Sequence, residues 1–379
     1  MTVRTREDLG SFDDIKAAAV RTTGMDDFGG TAHEEGLRIL SEDLVEHGGL
    51  TPEGNYMQRA QVKSALVGRL LSEHGFKEHP TYADVPIERP IFVCGLPRTG
   101  TTALHRLLNA DPAHQGLELW LTEVPQPRPP RETWAENPIY AGLNAAYSEH
   151  QVENPEFMGI HFMDAGTVEE CWRILRQAGK SIGYESLAYI PAYSAWLEQQ
   201  DWTDAYERHR ANLQLIGLND PEKRWVLKNP SHLVGLDAIM SVYPDALIVQ
   251  THRDPVVAIA SACSLSAEAT KGWSTTFVSD TIGRTQLDML SKAVARFERE
   301  RANHPAEQFI DLDYREFVTD PVGTTKGIYA TFDLEWTAGV DEAVTRLDNE
   351  SRQGGRRPSH RYDLADYGLT EEGVRAAFG

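Results

Sequence analysis

Hydrophobic residues in the first part of the chain recur at the spacing of amphipathic helices. Ser11 precedes one such stretch and is placed to cap it. The segment Glu34–His47 carries apolar residues three or four positions apart and is followed by two glycines, and Asn55–Glu73 repeats the pattern. None of these segments carries obvious chemistry. We therefore predict that residues 1–85 form a helical region that packs on the rest of the chain.

The hydrophobic pattern changes after the three prolines of residues 80–90, which we interpret as a linker. Three short β-favouring runs, Ile91–Cys94, Arg224–Lys228 and Ala246–Thr251, predict buried strands, and sequence with helical spacing follows each of them. Alternation of strands and helices is typical of a parallel α/β sheet. We predict an α/β domain over residues 86–379, with a P-loop-like parallel sheet flanked by helices.

The stretch from about residue 134 to residue 215 is rich in aromatic rings. Rings are dense between Trp134 and Trp202, with helical stretches between them, and a proline run over residues 125–130 precedes them. Aromatic residues at this density usually form core, although some of them can also wall an apolar ligand pocket. We predict that this stretch is a helical insertion on the ligand side of the domain.

Composition and charge exclude several classes of partner. The chain has 379 residues, of which 41% are hydrophobic, and no run of about eighteen apolar residues that would span a membrane. Its N-terminus lacks the apolar segment of a secretory signal. Its three cysteines are widely spaced, as expected for free thiols in the cytoplasm, and show no metal-ligand spacing. The formal net charge of −20 argues against nucleic acid as a partner, so a polyanionic ligand would need a local basic cluster.

The turn between the first strand and its helix is built like a phosphate cradle. Gly95 and Gly100 have the spacing of the nucleotide loop G-x-x-x-x-G-K-[ST], but Thr101 replaces the lysine and Arg98 places a cation inside the loop. Backbone N–H groups of such a turn point into one concavity, and the helix dipole adds partial positive charge. An ordinary strand–helix turn and a nucleoside triphosphate loop remain alternatives at this point.

Further cations follow the other two predicted strands. Lys228 ends the second strand, and Arg253 follows the third. Ligands of parallel α/β sheets bind at the carboxyl ends of strands, so both cations are expected near the glycine turn. Ser261 lies eight residues after Arg253, just over two helical turns, so both side chains can face one phosphate. After Lys228, the segment Asn229–Tyr243 is predicted to form one helix.

The loop resembles that of sulfotransferases that use 3′-phosphoadenosine 5′-phosphosulfate (PAPS), which reads proline, a basic residue, serine or threonine, then Gly-Thr-Thr. The matching residues are Pro97, Arg98, Thr99, Gly100, Thr101 and Thr102. The segment Thr251–Ser261 is similar to the 3′-phosphate motif of that family, and Trp225–Pro230 resembles the central lysine strand of its tyrosylprotein and bacterial branches. The resemblance covers roughly Ile91–Leu369 and is closest to the broad bacterial branch.

The resemblance implies transfer of a sulfuryl group from PAPS to a hydroxyl or amine of a small-molecule, lipid or glycan acceptor, giving 3′-phosphoadenosine 5′-phosphate (PAP). Arg98 and the loop amides of Thr99–Thr102 would neutralise charge on the sulfuryl oxygens and the departing 5′-phosphate. Lys228 would meet the bridging oxygen as it leaves. No metal is expected when cations and amides supply this charge.

The resemblance also assigns residues to the other end of the cofactor. Arg253 and Ser261 would bind the 3′-phosphate, because arginine supplies a forked charge and serine a short hydroxyl. Arg356 and Arg357 lie in a glycine-containing tail, where the family often returns a basic loop over the cofactor, although this part matches loosely.

The acceptor must lose a proton, so a general base is expected. Pro230 occupies the place where many cytosolic sulfotransferases have a histidine. The tyrosylprotein branch uses a glutamate roughly twenty residues after the basic residue of the loop, and Glu118 lies twenty residues after Arg98, with a one-residue gap in the match. We predict Glu118 as the base. The rival residues are Glu123, His161, Glu170 and His232, the last of which has a helix-start role as its alternative.

Two other functions remain as alternatives. One is a phosphotransferase of the P-loop kinase type, which the missing loop lysine and the Arg253 and Ser261 pair disfavour. The other is a non-catalytic protein that binds PAP. A homo-oligomer is compatible with each of the three functions.

Overall fold

A five-stranded parallel sheet forms the centre of the protein. The computed structural model describes residues 4–153, 163–353 and 363–379. The strands are β1 (Ile91–Gly95), β2 (His114–Gln115), β3 (Arg224–Lys228), β4 (Leu247–His252) and β5 (Phe309–Asp313), in the order β2-β3-β1-β4-β5. Every neighbouring pair is parallel. The predicted α/β fold with a P-loop-like parallel sheet flanked by helices is confirmed.

The register of the central strands brings the predicted cations to one edge of the sheet. Val93 of β1 pairs with Lys228 of β3 on one side and with Val249 of β4 on the other. Because the strands are parallel, the loops that leave their carboxyl ends meet at the same edge. All residues of β1 are buried, as its wholly apolar sequence predicts.

Helices surround the sheet on both faces and form the N-terminal part of the chain. They are α1 (Phe12–Thr23), α2 (Glu34–Glu46), α3 (Pro52–Glu78), α4 (Thr101–Leu108), α5 (Leu119–Glu123), α6 (Pro138–Glu153), α7 (Trp172–Leu175), α8 (Pro191–Glu198), α9 (Thr203–Ile216), α10 (Leu236–Val242), α11 (Pro255–Ala269), α12 (Ser279–Arg301), α13 (Tyr314–Thr319), α14 (Pro321–Thr331), α15 (Ala338–Gln353) and α16 (Glu371–Phe378). Short 3₁₀ helices cover Pro80–Asp84, Arg131–Glu136, Arg176–Ala178, Gly217–Asn219, Pro230–Val234, Ala306–Gln308 and Leu364–Tyr367. Among the described residues, no helix combines the length and apolar character needed to cross a membrane.

The N-terminal helices form where the hydrophobic pattern predicts them. Ser11 caps α1 through a capping box with Asp14, in which each side chain accepts a hydrogen bond from the other residue's backbone. Helix α3 is longer than its apolar stripe suggests, because Thr51 caps it and Pro52 occupies its first position. Leu66 of α3 belongs to the same buried apolar cluster as strand β1. The division of the chain at residue 85 stays a prediction.

The single helix predicted over Asn229–Tyr243 is wrong, since the chain forms two helical pieces there. A 3₁₀ turn covers Pro230–Val234, and α10 begins only at Leu236. Gly235 separates them in a non-helical conformation. A Cβ atom on Gly235 would lie 2.6 Å from the ring of Tyr206, so glycine allows this backbone to approach the ring.

Half of the ten aromatic residues that the structure describes in the predicted insertion are buried. Trp134, Tyr184, Tyr193 and Trp202 are each at most 3% exposed. Trp172 instead lines the main cavity of the domain. The expectation of an aromatic region that forms core and also walls a pocket therefore agrees with the structure.

Candidate active site

A cavity of about 450 Å³ lies at the carboxyl edge of the sheet, where the loops after β1 and β4 meet. Its polar wall comes from the loop after β1 and from the segments that flank it. The polar lining residues close to the strand ends include Arg98, Thr101, Thr102, Glu170, Asn229 and Arg253. Its apolar wall comes from the helices and from the segment after α7. Among the apolar lining residues are Trp172, Ile182, Leu187, Leu265, Met289 and Phe317.

The backbone of the loop after β1 has the shape that a phosphate cradle requires. Gly95 has a φ of 142°, and a Cβ atom there would lie 2.6 Å from the carbonyl oxygen of Thr251, so only glycine fits. Gly100, with a φ of 90°, precedes α4 and offers no side chain to cap the helix. Amides at the start of α4 are therefore left to an anionic ligand. Arg98 takes a φ of 70°, a conformation that is strained for a non-glycine residue and is often found at functional sites.

The structure places Arg98 against both Arg253 and Ser261, whereas the sequence assigned Arg98 to the opposite end of the cofactor. The Nε atom of Arg98 donates to Ser261 Oγ over 3.2 Å. Nη1 of Arg253 donates to the carbonyl oxygen of Arg98 over 2.7 Å. The guanidinium of Arg253 also lies 4.0 Å from the ring centroid of Tyr314, within cation–π range. Arg98 thus joins Arg253 to the hydroxyl of Ser261, which is buried and is not among the described residues that line the cavity.

Lys228 lies directly beneath the polar wall of the cavity. Its side chain is 2% exposed, and its Nζ atom donates to Glu170 Oε1 over 2.5 Å and to Thr102 Oγ1 over 3.2 Å. Both partners line the cavity. A buried ammonium therefore connects the start of α4 with a carboxylate at the cavity wall.

Glu170 is held in place by the backbone on either side of it. The amide of Glu169 donates to the carbonyl oxygen of Leu117 over 2.7 Å, and the amide of Cys171 donates to that of Lys228 over 3.0 Å. The segment therefore runs past the end of β3 and presents Glu170 to the lysine. The sequence carries no spacing signal for this pair, because the two residues are 58 positions apart.

Glu118 does not lie among the described residues that line the cavity. It precedes α5, and its carboxylate accepts a hydrogen bond from Arg128 Nε over 3.1 Å. Arg128 is itself 8% exposed and also bonds Gln115 and Asp220, so this group stabilises the edge of the sheet near β2. The assignment of Glu118 as base stays a prediction, and its position does not support it.

Neither His232 nor Glu123 is among the described residues that line the cavity. His232 is fully buried and shares a 2.7 Å hydrogen bond with the hydroxyl of Tyr206, while burial holds its pKa well below the usual 6.5. Its neutral ring packs against Phe92 of β1. Glu123 accepts a hydrogen bond from Arg173 over 2.6 Å. The remaining predicted residues, His161, Arg356 and Arg357, lie outside the described residues.

Most residues of the loop line the cavity, whereas Thr99 holds the loop in place. Pro97 lines the cavity together with Arg98, Gly100, Thr101 and Thr102. Thr99 is buried instead, where its Oγ1 atom donates to the carbonyl oxygen of Leu96 over 2.7 Å and lies 2.6 Å from Thr251 Oγ1. Its side chain therefore fixes the loop against β4.

Several lining residues had no signal in the sequence. Tyr314 and Phe317 follow the unpredicted edge strand β5, and a Cβ atom on Gly100 would lie 3.2 Å from both rings. Gln286 of α12 is buried in the apolar wall, where it accepts a hydrogen bond from Ser186 over 3.3 Å.

Glu185 lies behind the apolar wall in a setting that alters its ionisation. Burial raises the pKa of its carboxyl from the usual 4.5 to about 7. A hydrogen bond with Ser194 and the charge of Lys292 lower the pKa, whereas Glu198 and Asp288 raise it. Burial outweighs the two opposing contacts, so the folded protein holds a proton here that an unfolded chain releases at a lower pH.

Folding stability should therefore fall as the pH rises from about 4.5 to about 7, because the unfolded state binds fewer protons at this position. Glu185→Gln removes this loss of folding stability, because glutamine does not titrate. We expect the variant to gain about 1–2 kcal/mol relative to the parent protein between pH 5.5 and pH 8. Urea unfolding of both proteins at the two pH values measures the gain. A difference that does not change with pH would contradict this assignment.

Comparison with known proteins agrees with the geometry of the loop and the cavity. The model of the Sulfotransferase family matches residues 90–338, more than half of the chain. A crystal structure of sulfotransferase STF1 from Mycobacterium tuberculosis H37Rv is 51% identical, with a TM-score of 0.92 over 98% of this chain and 99% of that chain. Sulfotransferase STF9 from Mycobacterium avium is 29% identical, with a TM-score of 0.88 over 98% of this chain and 96% of that chain.

A curated relative with a named substrate is more distant. The omega-hydroxy-beta-dihydromenaquinone-9 sulfotransferase Stf3 of Mycobacterium bovis and Mycobacterium tuberculosis is 24% identical over 249 residues, which are 63% of this chain. The match spans 61% of the length of these relatives. The family match and the two similar crystal structures cover the glycine loop, the strand-end cations and the sheet, and the chain belongs to the Sulfotransferase family.

Proposed function

We propose that the protein is an enzyme that transfers a sulfuryl group from PAPS to a hydroxyl of an apolar small-molecule or lipid acceptor. The observation that carries the proposal is the cavity itself. It joins a wall of loop amides and cations to an apolar wall at the carboxyl edge of a parallel sheet. The named substrate of the Stf3 relatives supports a lipid-like acceptor. Glycans and amines are the less favoured acceptors, because the walls away from the loop are mainly apolar.

The donor set fits a phosphosulfate and a second phosphate. The amides at the start of α4, the guanidinium of Arg98 and the ammonium of Lys228, which bonds Thr102 of that helix, would together bind one anion. Arg253 and Ser261 provide a forked cation and a hydroxyl for the 3′-phosphate. Glycine at position 95 lets the loop pack directly against Thr251 at the end of β4. PAPS would supply the sulfuryl group when it is bound in this set.

We assign the proton transfer to Glu170. Its carboxylate lines the cavity and is oriented by the hydrogen bond from Lys228 Nζ, so it can accept the proton of an acceptor hydroxyl. Lys228 has positive charge at the point where the loop begins its helix, where it would stabilise negative charge that develops in the transition state. The apolar wall excludes water from the hydroxyl that reacts.

The loop sequence and the positions of the cations favour this function over the P-loop kinase alternative. Thr101 stands where a kinase of that type needs its lysine, and the cations are distributed over Arg98, Lys228 and Arg253. A non-catalytic PAP-binding protein would share the cations. It would have no use for a carboxylate in the polar wall beside Lys228, where Glu170 lies.

We expect PAP to bind about tenfold or more tightly than AMP in buffer that contains no divalent metal. PAP carries a 3′-phosphate that AMP lacks, and a hydrogen bond between a phosphate and arginine contributes roughly 1.5–3 kcal/mol. Calorimetry with PAP, AMP and ATP measures the preference. Equal affinity for PAP and AMP would remove the 3′-phosphate site from Arg253 and Ser261, and tighter binding of ATP would favour the kinase.

Transfer itself is tested with labelled PAPS and a panel of phenols, sterols, alkyl alcohols, sugars and glycolipids, read as the mass increase of the acceptor. Sulfation of an apolar alcohol supports the proposal. PAP binding with no transfer to any member of the panel would favour the non-catalytic alternative.

A further inference from the structure

A second cavity, of about 310 Å³, lies on the far side of two residues that line the first one. Ile182 and Met289 line both cavities. Ile182 belongs to the segment between α7 and α8, and Met289 belongs to α12. The two cavities are therefore neighbours that share a wall of apolar side chains.

The inner wall of the second cavity is apolar. Leu197 of α8, Trp202 and Ala293 of α12 line it, with exposures of 4%, 1% and 1%. Val234, which is partly buried, lines it as well. These side chains offer a dry surface of the kind that binds a hydrocarbon chain.

The charged residues that line the second cavity are Glu185, Glu198, Lys292, Arg296 and Arg299, and three of them form ion pairs. Lys292 Nζ lies 2.6 Å from a carboxylate oxygen of Glu198 and 2.7 Å from one of Asp288, and the three side chains are 50–59% exposed. Arg296 Nε lies 2.6 Å from Glu300 Oε1. These pairs form a charged rim beside the apolar residues, and Glu185, whose pKa burial raises to about 7, adds one carboxyl group to the lining.

The residues between the two cavities are suited to separate them without closing the path permanently. Met289 has an unbranched, flexible side chain and is only partly buried. Ile182 is 5% exposed and lies in a segment with no α-helix between Leu175 and Pro191. A rotamer change at Met289 would move atoms between the two cavities and leave the backbone unchanged.

We propose that the second cavity receives the far end of an elongated acceptor, whose hydroxyl lies at Glu170 and whose hydrocarbon chain passes between Ile182 and Met289. The occupant is an alcohol with a linear apolar chain, longer than the first cavity accommodates. This inference rests on the proposed function, because it uses the acceptor that Glu170 deprotonates.

Chain length is then a specificity determinant. A methylene group that leaves water for an apolar cavity contributes about 0.8 kcal/mol, or about fourfold in kcat/KM. Linear primary alcohols from 1-butanol to 1-dodecanol should therefore show kcat/KM rising by up to about fourfold for each added methylene while the chain crosses into the second cavity.

The test is to fill the second cavity from its far side. Leu197 lines the second cavity and is absent from the lining of the first. Leu197→Trp should leave kcat/KM for 1-butanol within about twofold of the parent value and lower kcat/KM for 1-dodecanol by about tenfold or more. Leu347→Trp on α15 is the matched control, since Leu347 lines none of these cavities. It should affect both alcohols equally.

Two outcomes overturn the inference. One is a kcat/KM that does not depend on chain length beyond 1-butanol, and the other is an equal loss for both alcohols in Leu197→Trp. If no alcohol is sulfated, the proposed function fails. Calorimetry of the same alcohols with and without PAP then tests whether the second cavity still binds a hydrocarbon chain. Tighter binding of 1-dodecanol that Leu197→Trp abolishes supports it, and chain-independent binding rejects it.

Discussion

Replacing Glu170 by glutamine is expected to lower turnover by about a hundred- to ten-thousand-fold, the usual cost of losing a general base. Glutamine keeps the shape of the side chain and its hydrogen bond to Lys228 through the amide oxygen, but it cannot accept the proton of an acceptor hydroxyl. PAP affinity should therefore change little. Turnover with any acceptor from the panel is measured beside PAP binding of the same variant.

Glu118→Gln provides the discriminating partner for this experiment, because it makes the same chemical change at the carboxylate predicted from spacing. Glu118 lies against Arg128 and away from the cavity lining, so its amide variant should keep more than about a tenth of the parent rate. Collapse of turnover in Glu118→Gln with activity retained in Glu170→Gln would return the base to the residue that the sequence favoured.

Removing the ammonium of Lys228 is expected to lower turnover by about a hundred- to a thousand-fold, the range for loss of one donor that stabilises transition-state charge. Lys228→Met is the suitable change, because methionine keeps the buried hydrocarbon stem. Affinity for PAP should fall much less than turnover, since the charge that Lys228 meets grows during the reaction. Lys228→Met leaves the carboxylate of Glu170 without its partner, so thermal unfolding of the variant checks that the fold remains stable.

Arg253→Ala is the counterpart of Lys228→Met. The side chain of Arg253 is assigned to the 3′-phosphate, which does not change during transfer. Loss of this side chain should therefore raise the PAP dissociation constant by about tenfold or more. Turnover at saturating PAPS should fall far less. If Lys228→Met raised only the dissociation constant and left turnover intact, the two roles would have to be exchanged.

The sequence predicted the parts of the site that depend on neighbouring residues. A short run of apolar residues and glycines marks strand β1 and the loop from Gly95 to Gly100, and Arg253 lies two residues before the helix that carries Ser261. Parallel strands then bring their carboxyl ends together, which is why Lys228 was expected beside the loop. Local patterns and one rule of sheet topology were sufficient for these residues.

Residues that depend on the path of the chain between elements were harder to assign, and the sequence named Glu170 only as a rival of Glu118. Glu170 reaches the cavity because two backbone hydrogen bonds hold its segment against the end of β3, and neither bond leaves a mark in the sequence. Glu118 was chosen by its distance along the chain from Arg98. That count carries no information about Arg128, which pairs with Glu118 at the edge of the sheet.

Strand β5 was missed for a related reason. It pairs with β4 alone, and exposed and buried residues alternate along it, so its sequence lacks the continuous apolar run of a central strand. Tyr314 and Phe317 follow it directly, and the ligand-facing rings were therefore missed together with the strand.

The close pairing of Glu170 with Lys228 also determines how the enzyme prepares for its next turnover. Under the proposed function, each cycle delivers one proton to a carboxyl group whose nearest partner is an ammonium that cannot take it. Lys228 is 1% exposed, so solvent does not reach the pair from behind, and the proton must leave through the cavity that the sulfated product occupies. The carboxyl group of Glu170 therefore loses its proton only when the product leaves. An enzyme that still holds its product cannot begin another turnover.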